Sequence, residues 1–310
     1  MIILAGIDEA GLGPTLGPLV TASAALSVPE EWQPDTPWEK LASVFCRQWR
    51  KGETRAGVAD SKVLYRTGGL GALELTVGAF AALAASSLVA VPTATGKRHP
   101  CYSCGLDPFP AHAEADEIRS AQGSMDAALA EAGARAVHLE AAPLFEPELN
   151  RRFESGLNKN EALLMETGRH LAALAKKFPG LRMVVVVDKQ GGRNDYLPFL
   201  TALFPGVWPQ EVLASGQSSH YRLLRPGGTM DVYFNAKADR DSFATALASL
   251  AAKYVRERAM AELNAWFGER LPGLKATAGY PLDAGRWLDE VRAVPGDLAG
   301  LELELLVRTR

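Results

Sequence analysis

The segment that most constrains this fold is the start of the sequence, residues 1–14, where an apolar run of strand length ends in two adjacent carboxylates. Glycines and a proline follow directly after Asp8 and Glu9, so these acids lie where a strand (residues 2–7) stops and a turn begins. Residues 19–26 are small and apolar, which predicts a second strand that returns after the turn. The sequence therefore predicts a hairpin that frames the two acids. The alternative is a strand end whose acids are solvated before a loop.

Two further carboxylates follow predicted strands in the same way. Asp188 ends the β-branched run 183–187, which is typical of a fully buried strand, and Asp239 follows a hairpin predicted from residues 220–224 and 230–234. Carboxylates brought within a few ångströms repel one another unless cations neutralise them. Hard oxygen ligands suit Mg²⁺ or Mn²⁺, and two such ions about 3.5–4 Å apart would hold a phosphate for in-line displacement. Alternatively, two of these four acids are helix caps or surface groups.

The other elements follow from apolar periodicity. Helices are predicted at 38–49, 69–85, 114–132, 158–177, 194–204, 242–267 and 284–291, and short strands at 89–92 and 136–142. Asp241 or Ser242 is the predicted N-cap of the long helix that starts near residue 242. Strands that alternate with helices predict an α/β protein.

Composition excludes some classes of protein. The 310 residues are 47% hydrophobic and 22% charged, which is ordinary for a globular chain, and the apolar runs are too short to span a bilayer. We expect a cytoplasmic protein, because the N-terminus lacks signal-peptide features and three cysteines do not suggest a disulfide framework. We also expect a monomer. The net charge of −3 gives no overall attraction to nucleic acid, so any such binding needs a local patch. Residues 220–259 predict one, since basic side chains outnumber acids there; solvated helix-face charges are the alternative.

A Cys/His-containing segment lies at residues 92–113. Its two cysteines have C-x-x-C spacing and are flanked by two histidines, so four residues could supply the ligands of a structural zinc: His99, Cys101, Cys104 and His112. The simpler alternative is a loop with free thiols.

Six segments resemble, in the expected order, those of ribonuclease HII, the type 2 ribonuclease H family. They are GIDEAGLGPTLGPLV at 6–20, DSK at 60–62 followed by Leu64, VD at 187–188, KAD at 237–239, ASLAAKYVRER at 248–258 and AGYP at 278–281. The matching segments lie mostly at the two ends of the chain, and residues 67–181 match poorly. The resemblance implies a single catalytic domain over residues 1–310 with an RNase H-like fold, in which helices flank a mixed central sheet. It would carry a family-atypical insertion at 92–181 and a C-terminal helical part at 240–310.

The resemblance also implies an activity, which is Mg²⁺- or Mn²⁺-dependent hydrolysis of the RNA strand of RNA–DNA hybrids. The partners would be such hybrids, or DNA duplexes that contain ribonucleotides. By matching position, the metal-binding and catalytic residues would be Asp8, Glu9, Asp188 and Asp239. The expected substrate contacts are Gly11, Leu12, Gly13, Ser61, Lys62, Lys237, Ser249, Lys253 and Tyr280. Tyr280 would pack against the sugars at the RNA-to-DNA junction; the alternative is a loop aromatic at the edge of the core.

Two residues depart from the family pattern. Leu12 stands where the family carries arginine, which removes a cation from a phosphate-facing position. Glu257 replaces an aspartate in the helical segment. The Leu12 change leaves two other functions open: a non-catalytic protein that binds RNA–DNA hybrids, and a structure-specific nuclease acting on branched DNA or a DNA flap.

Overall fold

The computed structural model describes residues 1–86, 88–89, 98–102, 109–294 and 302–310. In these ranges the strands are β1 (Ile2–Ala10), β2 (Leu19–Val28), β3 (Phe45–Cys46), β4 (Ala56–Gly57), β5 (Arg135–Leu144), β6 (Met183–Asp188), β7 (Pro209–Ala214), β8 (Ser218–Arg225) and β9 (Gly228–Asn235). The helices are α1 (Thr36–Lys40), α2 (Ser61–Leu83), α3 (Ala115–Glu131), α4 (Glu146–Glu154), α5 (Lys159–Lys177), α6 (Leu197–Leu203), α7 (Phe243–Arg270) and α8 (Pro281–Arg292). None of these helices is long and apolar enough to cross a membrane.

A mixed sheet forms the centre of the molecule. Within the described ranges seven strands join it in the order β5-β2-β1-β6-β9-β8-β7. β1 pairs antiparallel with β2 and parallel with β6, and β6 pairs parallel with β9. Since β1 and β6 run in the same direction, their carboxyl ends meet at one edge of the sheet. This confirms the predicted α/β class with a mixed sheet flanked by helices.

Helices cover both faces of the sheet, because successive strand residues point to opposite sides. Ile2 and Leu4 of β1 belong to the apolar cluster that contains α2, α3 and α7. Ile3, Ala5 and Ile7 belong to the cluster on the other face, with α5 and α6. Two clusters on opposite faces leave β1 and β6 buried on both sides, which explains their continuous apolar sequences.

The strands that carry the acids are longer than predicted. The hairpin of β1 and β2 is confirmed, but β1 continues to Ala10, so Asp8 and Glu9 are strand residues that pair with Ala22 and Thr21. Asp188 is likewise the last residue of β6. The predicted hairpin of β8 and β9 is confirmed, and Ser242 rather than Asp241 caps α7, since its side chain accepts from an N–H of the first turn.

Other predictions differ from the structure. The helix predicted at 38–49 is limited to α1, because Phe45 and Cys46 instead form β3, which pairs with β4. Helix α4 and the edge strand β7 were not predicted from the sequence. Of the strand predicted at 89–92, Val89 forms a bridge with Ala141, and residues 90–92 lie outside the described ranges.

A chain of buried polar side chains crosses the interface between β2, β5 and α5. His170 contacts the hydroxyls of Thr21 (3.0 Å) and Ser23 (2.8 Å), and Ser23 also contacts His138 (2.8 Å), which approaches Lys177. Burial lowers the pKa of His138 to about 4, with a contribution from Lys177. It lowers the pKa of His170 to about 3, helped by the neighbouring His138 and Arg169. Both imidazoles are therefore neutral in the folded protein at pH 7.

We predict that these histidines make the fold labile to acid. Their folded pKa values lie below the unfolded value near 6.5, so their contribution to stability is complete above pH 6.5 and is lost as the pH falls toward 4. For one histidine, the loss of unfolding free energy is on the order of 1.4 kcal/mol for each pH unit between its unfolded and folded pKa values. In urea unfolding, the stability difference between wild type and His170→Gln should therefore narrow between pH 7 and pH 4.5.

The matched control for this prediction is His112→Gln, because the His112 side chain is exposed. Its unfolding free energy should follow the wild-type curve at a constant offset. A His170→Gln curve that also runs parallel to wild type would contradict the assignment.

Candidate active site

Three carboxylates meet at the carboxyl ends of β1 and β6. Asp8 and Glu9 come from β1, and Asp188 comes from β6, one residue past the Ile7–Val187 pair. Ligand oxygens of the three all lie within 4.8 Å of one another. Elsewhere in the described ranges, no other set of three histidine, cysteine or acidic side chains comes together in this way. The structure thus brings together three of the four acids predicted from sequence.

The electrostatics of this cluster favour an added positive charge. Burial raises the pKa of Asp8 well above its ordinary value, Glu9 and Asp188 raise it further, and a hydrogen bond from Ser249 offsets part of the effect. Burial and the Asp188 charge raise the pKa of Glu9 to about 7, against an opposing effect of Lys62. The pKa of Asp188 is also raised, mainly by burial. Three hard oxygen ligands that resist ionisation together are a donor set that fits Mg²⁺ or Mn²⁺.

Asp239 lies beside this cluster, not within it. It sits in a short 3-10 turn, Ala238–Arg240, between β9 and α7, directly after Lys237, whose φ is +59°. The N–H of Ala238 donates to Asp188 (2.9 Å), which fixes the turn to the end of β6. The pKa of Asp239 is raised by burial first and by the Asp60 charge second. The Asp239 charge in turn raises the pKa of Asp188, so Asp239 belongs to the same acidic region of the cleft.

The acids form part of a cleft of about 420 Å³. Every catalytic and substrate-contacting residue predicted from sequence lines it: Asp8, Glu9, Gly11, Leu12, Gly13, Ser61, Lys62, Asp188, Lys237, Asp239, Ser249, Lys253 and Tyr280. Three other charged residues line the cleft but were not among the predicted site residues, namely Asp60, Arg240 and Arg256. All three stand within or next to segments already quoted for the resemblance, so proximity in sequence could have found them.

The glycine loop between β1 and β2 forms one wall of the cleft. Gly11 has φ +87°, and a Cβ there would lie 2.6 Å from Cδ and Nε of Arg256, so the position requires glycine. Gly13 has open space around it and an ordinary φ. Between them, Leu12 packs against an apolar cluster that includes Leu149. The residue in the family's arginine position thus contributes apolar packing, not charge.

Helix α7 supplies a second wall. Ser249, Lys253 and Arg256 lie four and three residues apart and therefore share one helix face. Ser249 contacts Ser61 at the start of α2 (3.1 Å). Lys253 donates to Glu257 (2.7 Å), which also accepts from Arg256 (2.8 Å). Glu257, which stands where the resembled family has aspartate, therefore binds two cations that line the cleft.

Two sides of the cleft remain exposed. Tyr280 is half-exposed and its ring lies 5.7 Å from the buried guanidinium of Arg256. Lys62, Lys237 and Arg240 are exposed cations around the acids. Exposed cations beside buried carboxylates suit a polyanion whose phosphate approaches a metal-binding centre.

The predicted zinc ligands are His99, Cys101, Cys104 and His112, of which Cys104 lies outside the described residues. His99 stacks on Phe267 near the end of α7. The N–H of His112 donates to the buried carboxylate of Glu74, which also accepts from the hydroxyl of Tyr254. Tyr254 and Phe267 are separated by about 20 Å along the helix axis. The structure therefore does not bring the two histidines together.

Comparison with known proteins gives matches among solved structures alone. A scan against protein-family models and a search of curated proteins find no match. The chain is similar to a mutant of Bst-RNase HIII (19% identity, TM-score 0.49), covering 99% of this chain and 66% of that one. It is also similar to RNase HII of Archaeoglobus fulgidus, in a complex with PCNA (17%, TM-score 0.47; 99% and 94% covered), and to ribonuclease H2 of Pyrococcus horikoshii OT3 (17%, TM-score 0.45; 96% and 91% covered). The chain thus spans about two thirds of the Bst-RNase HIII chain.

We predict that the acidic cluster destabilises the metal-free protein and that Asp8→Asn relieves this cost. A carboxyl group whose pKa is higher in the folded than in the unfolded protein stabilises the fold at low pH. That stabilisation is lost as the pH rises through the folded pKa, which is about 7 for Glu9. At pH 8 without metal, Asp8→Asn should therefore unfold at a higher temperature than wild type. Mg²⁺ should stabilise wild type by about 2.7 kcal/mol at 100-fold excess over its Kd, and the variant far less.

The control is Asp126→Asn, which removes an exposed carboxylate on α3. It should match wild type in both the metal-free and the Mg²⁺-bound thermal unfolding curves. An Asp8→Asn variant that is less stable than wild type at pH 8 and is equally stabilised by Mg²⁺ would refute the prediction.

Proposed function

We propose that this chain is a type 2 ribonuclease H, an endonuclease that hydrolyses the RNA strand of RNA–DNA hybrids and leaves 3′-hydroxyl and 5′-phosphate ends. The observation that carries the proposal is the group formed by Asp8, Glu9 and Asp188, whose oxygens converge within 4.8 Å in a cleft that the family-like segments line. We further propose that the chain acts as a monomer, with residues 1–310 as one catalytic domain.

The chemistry needs divalent metal. Asp8, Glu9 and Asp188 would hold Mg²⁺ or Mn²⁺, with Asp239 completing the site for a second ion. Bound metal would activate the attacking water and stabilise the departing 3′-oxygen. Since burial raises the pKa values of these acids, a bound cation would favour their ionised forms.

The remaining cleft residues bind and orient the nucleic acid in this proposal. Lys62, Lys237 and Arg240 are exposed and contact phosphates on either side of the scissile bond. Tyr280 presents a half-exposed ring to the sugars at the RNA-to-DNA junction. Gly11, which has no Cβ, lets the backbone approach the 2′-hydroxyl that distinguishes RNA from DNA.

The acidic cluster favours an enzyme over a non-catalytic hybrid-binding protein. Buried, mutually repelling carboxylates destabilise a fold unless they bind cations, and hybrid binding alone gains nothing from them. A structure-specific DNA nuclease would use the same metal centre. The two nucleases differ in substrate, because the second would cut duplexes that lack a 2′-hydroxyl.

We predict that Asp8→Asn abolishes hybrid cleavage while hybrid affinity stays within a few-fold of wild type. The substitution removes a metal ligand, but the phosphate contacts of the exposed cations remain. Cleavage of a labelled hybrid and fluorescence anisotropy of the same hybrid measure the two effects, with Asp126→Asn as the control. Unchanged Mg²⁺ binding by calorimetry in an Asp8→Asn, Asp188→Asn double variant would contradict the metal site.

We also predict that the protein cuts extended hybrids better than single ribonucleotides embedded in DNA. An arginine in the position of Leu12 would add a charge-assisted phosphate contact of about 1.5–3 kcal/mol, which leucine lacks. A long hybrid offsets that loss through other 2′-hydroxyl and phosphate contacts, whereas one ribonucleotide offers few. Leu12→Arg should therefore raise cutting at a single ribonucleotide by roughly tenfold or more.

The assay compares the two labelled duplexes side by side, first with Mg²⁺ and then with Mn²⁺. Leu12→Met is the matched control, because it keeps the apolar contact with the Leu149 cluster and adds no charge. Equal or better wild-type cutting at the single ribonucleotide would show that Leu12 is no handicap. Cutting of neither duplex would favour the binding-protein alternative, and cutting of a flap alone would favour the DNA nuclease.

A further inference from the structure

The last described segment of the chain, residues 302–310, runs behind the glycine loop. Val307 forms an antiparallel bridge with Leu16, and the N–H of Arg308 donates to the carbonyl of Thr15 (3.0 Å). The side chain of Asn150 on α4 fixes this segment, since it donates to the carbonyl of Val307 (2.8 Å) and accepts from the N–H of Thr309 (2.9 Å). The segment is thus held on one side by α4 and on the other by the loop.

The guanidinium of Arg308 is buried beneath the loop and binds its carbonyl oxygens. Only 4% of the residue is exposed. Its Nη1 donates to the carbonyl of Gly11 (2.6 Å) and weakly to that of Leu12 (3.5 Å), and its Nε donates to the carbonyl of Gly17 (3.0 Å). Burial lowers its pKa to about 10, so the group stays charged at neutral pH.

The buried carboxylate of Glu146 holds the other side of the same loop. It accepts from the N–H of Gly17 (2.8 Å) and from the hydroxyl of Tyr102 (2.7 Å). The Gly17 carbonyl therefore accepts from the Arg308 guanidinium, and the Gly17 N–H donates to the Glu146 carboxylate. Such a paired arrangement leaves the loop backbone little rotational freedom.

The orientation of the loop carbonyls determines where its N–H groups point. In a trans peptide the C=O and the following N–H lie on opposite sides of the chain. Because the carbonyls of Gly11 and Leu12 point inward to Arg308, the N–H groups of Leu12 and Gly13 point outward. Both residues line the cleft, and neither N–H donates to another of the described residues. Two N–H donors thus face the cleft next to the carboxylates.

We propose that Arg308 is a positioning residue for substrate recognition: it orients the 11–13 backbone so that the N–H groups of Leu12 and Gly13 bind an acceptor oxygen of the bound nucleotide. The inference rests on the proposed function and adds to it a residue that belongs to none of the family-like segments. Lysine cannot replace Arg308, since one ammonium cannot span the Gly11 and Gly17 carbonyls in the same plane.

The test compares Arg308→Met and Arg308→Lys with Arg310→Met. Arg310 is an exposed arginine of the same segment, and among the described residues it makes one hydrogen bond, a long contact with the Leu157 carbonyl (3.4 Å). Steady-state cleavage of an RNA–DNA hybrid should show KM raised about tenfold or more in both Arg308 variants, with kcat within about threefold of wild type. Arg310→Met should match wild type. Equal KM values in folded Arg308 and Arg310 variants would overturn the proposal.

A second readout does not depend on cleavage. In protein labelled with ¹⁵N-glycine, the Gly13 N–H signal should shift when an RNA–DNA hybrid binds without divalent metal, and Arg308→Met should lose that shift. A DNA duplex of the same sequence shows whether the acceptor is a phosphate oxygen or the 2′-hydroxyl. A Gly13 shift with both duplexes indicates phosphate, and a shift with the hybrid alone indicates the 2′-hydroxyl. A Gly13 signal that is unmoved in wild type at saturating hybrid would refute the inference.

The two proposals fail in different ways. If wild type binds hybrid, moves Gly13 and cuts nothing, the nuclease proposal fails while the role of Arg308 stands. If Arg308→Met does not fold, as judged by thermal unfolding, Asn150→Ala replaces it. That variant frees residues 307–309 without touching the loop, and it should raise KM and weaken the Gly13 shift in the same direction. Wild-type values in a folded Asn150→Ala variant would count against the proposal.

Discussion

The site depends on how closely α7 lies on β1. A Cβ at Gly6 would be 2.1 Å from the backbone nitrogen of Thr245, so only glycine lets the helix approach this far. The hydroxyl of Thr245 donates to the carbonyl of Val186 on β6 (2.9 Å), which holds the helix over both strands that carry acids. One helical turn after Thr245, the side chain of Ser249 on α7 forms a hydrogen bond with Asp8. The spacing between sheet and helix therefore fixes the depth of the cleft.

This close packing also buries the acids, which lowers the stability of the fold and creates a site for a cation. Strands buried on both faces leave Asp8 almost without solvent, and the nearby N–H and hydroxyl donors offset only part of the repulsion. The fold thus holds negative charge that water does not screen, in a place where a cation and then a phosphate can approach. Rigid strands keep the ligand atoms together without the entropy loss that flexible loops would add.

Much of this arrangement could be predicted from sequence, because its signals are local. Apolar runs ending in acids predicted β1 and β6, and the cleft contains every residue that the family-like segments suggested. Local patterns failed where distant contacts decide the structure. The predicted helix at 38–49 stops early because β3 pairs with β4, and β7 was missed because an exposed edge strand lacks apolar alternation. Nothing near Arg308 indicates its partners, which precede it by more than 290 residues.

That last separation has a consequence for how the protein reaches its working state. Contacts between such distant parts of a chain close slowly, because a long loop must be ordered before they form. During synthesis, β1 and β6 leave the ribosome long before residue 308, so a nascent chain can assemble its acidic cluster while the loop beside it still lacks its guanidinium. The proposed metal site would then mature before the proposed site of nucleotide recognition.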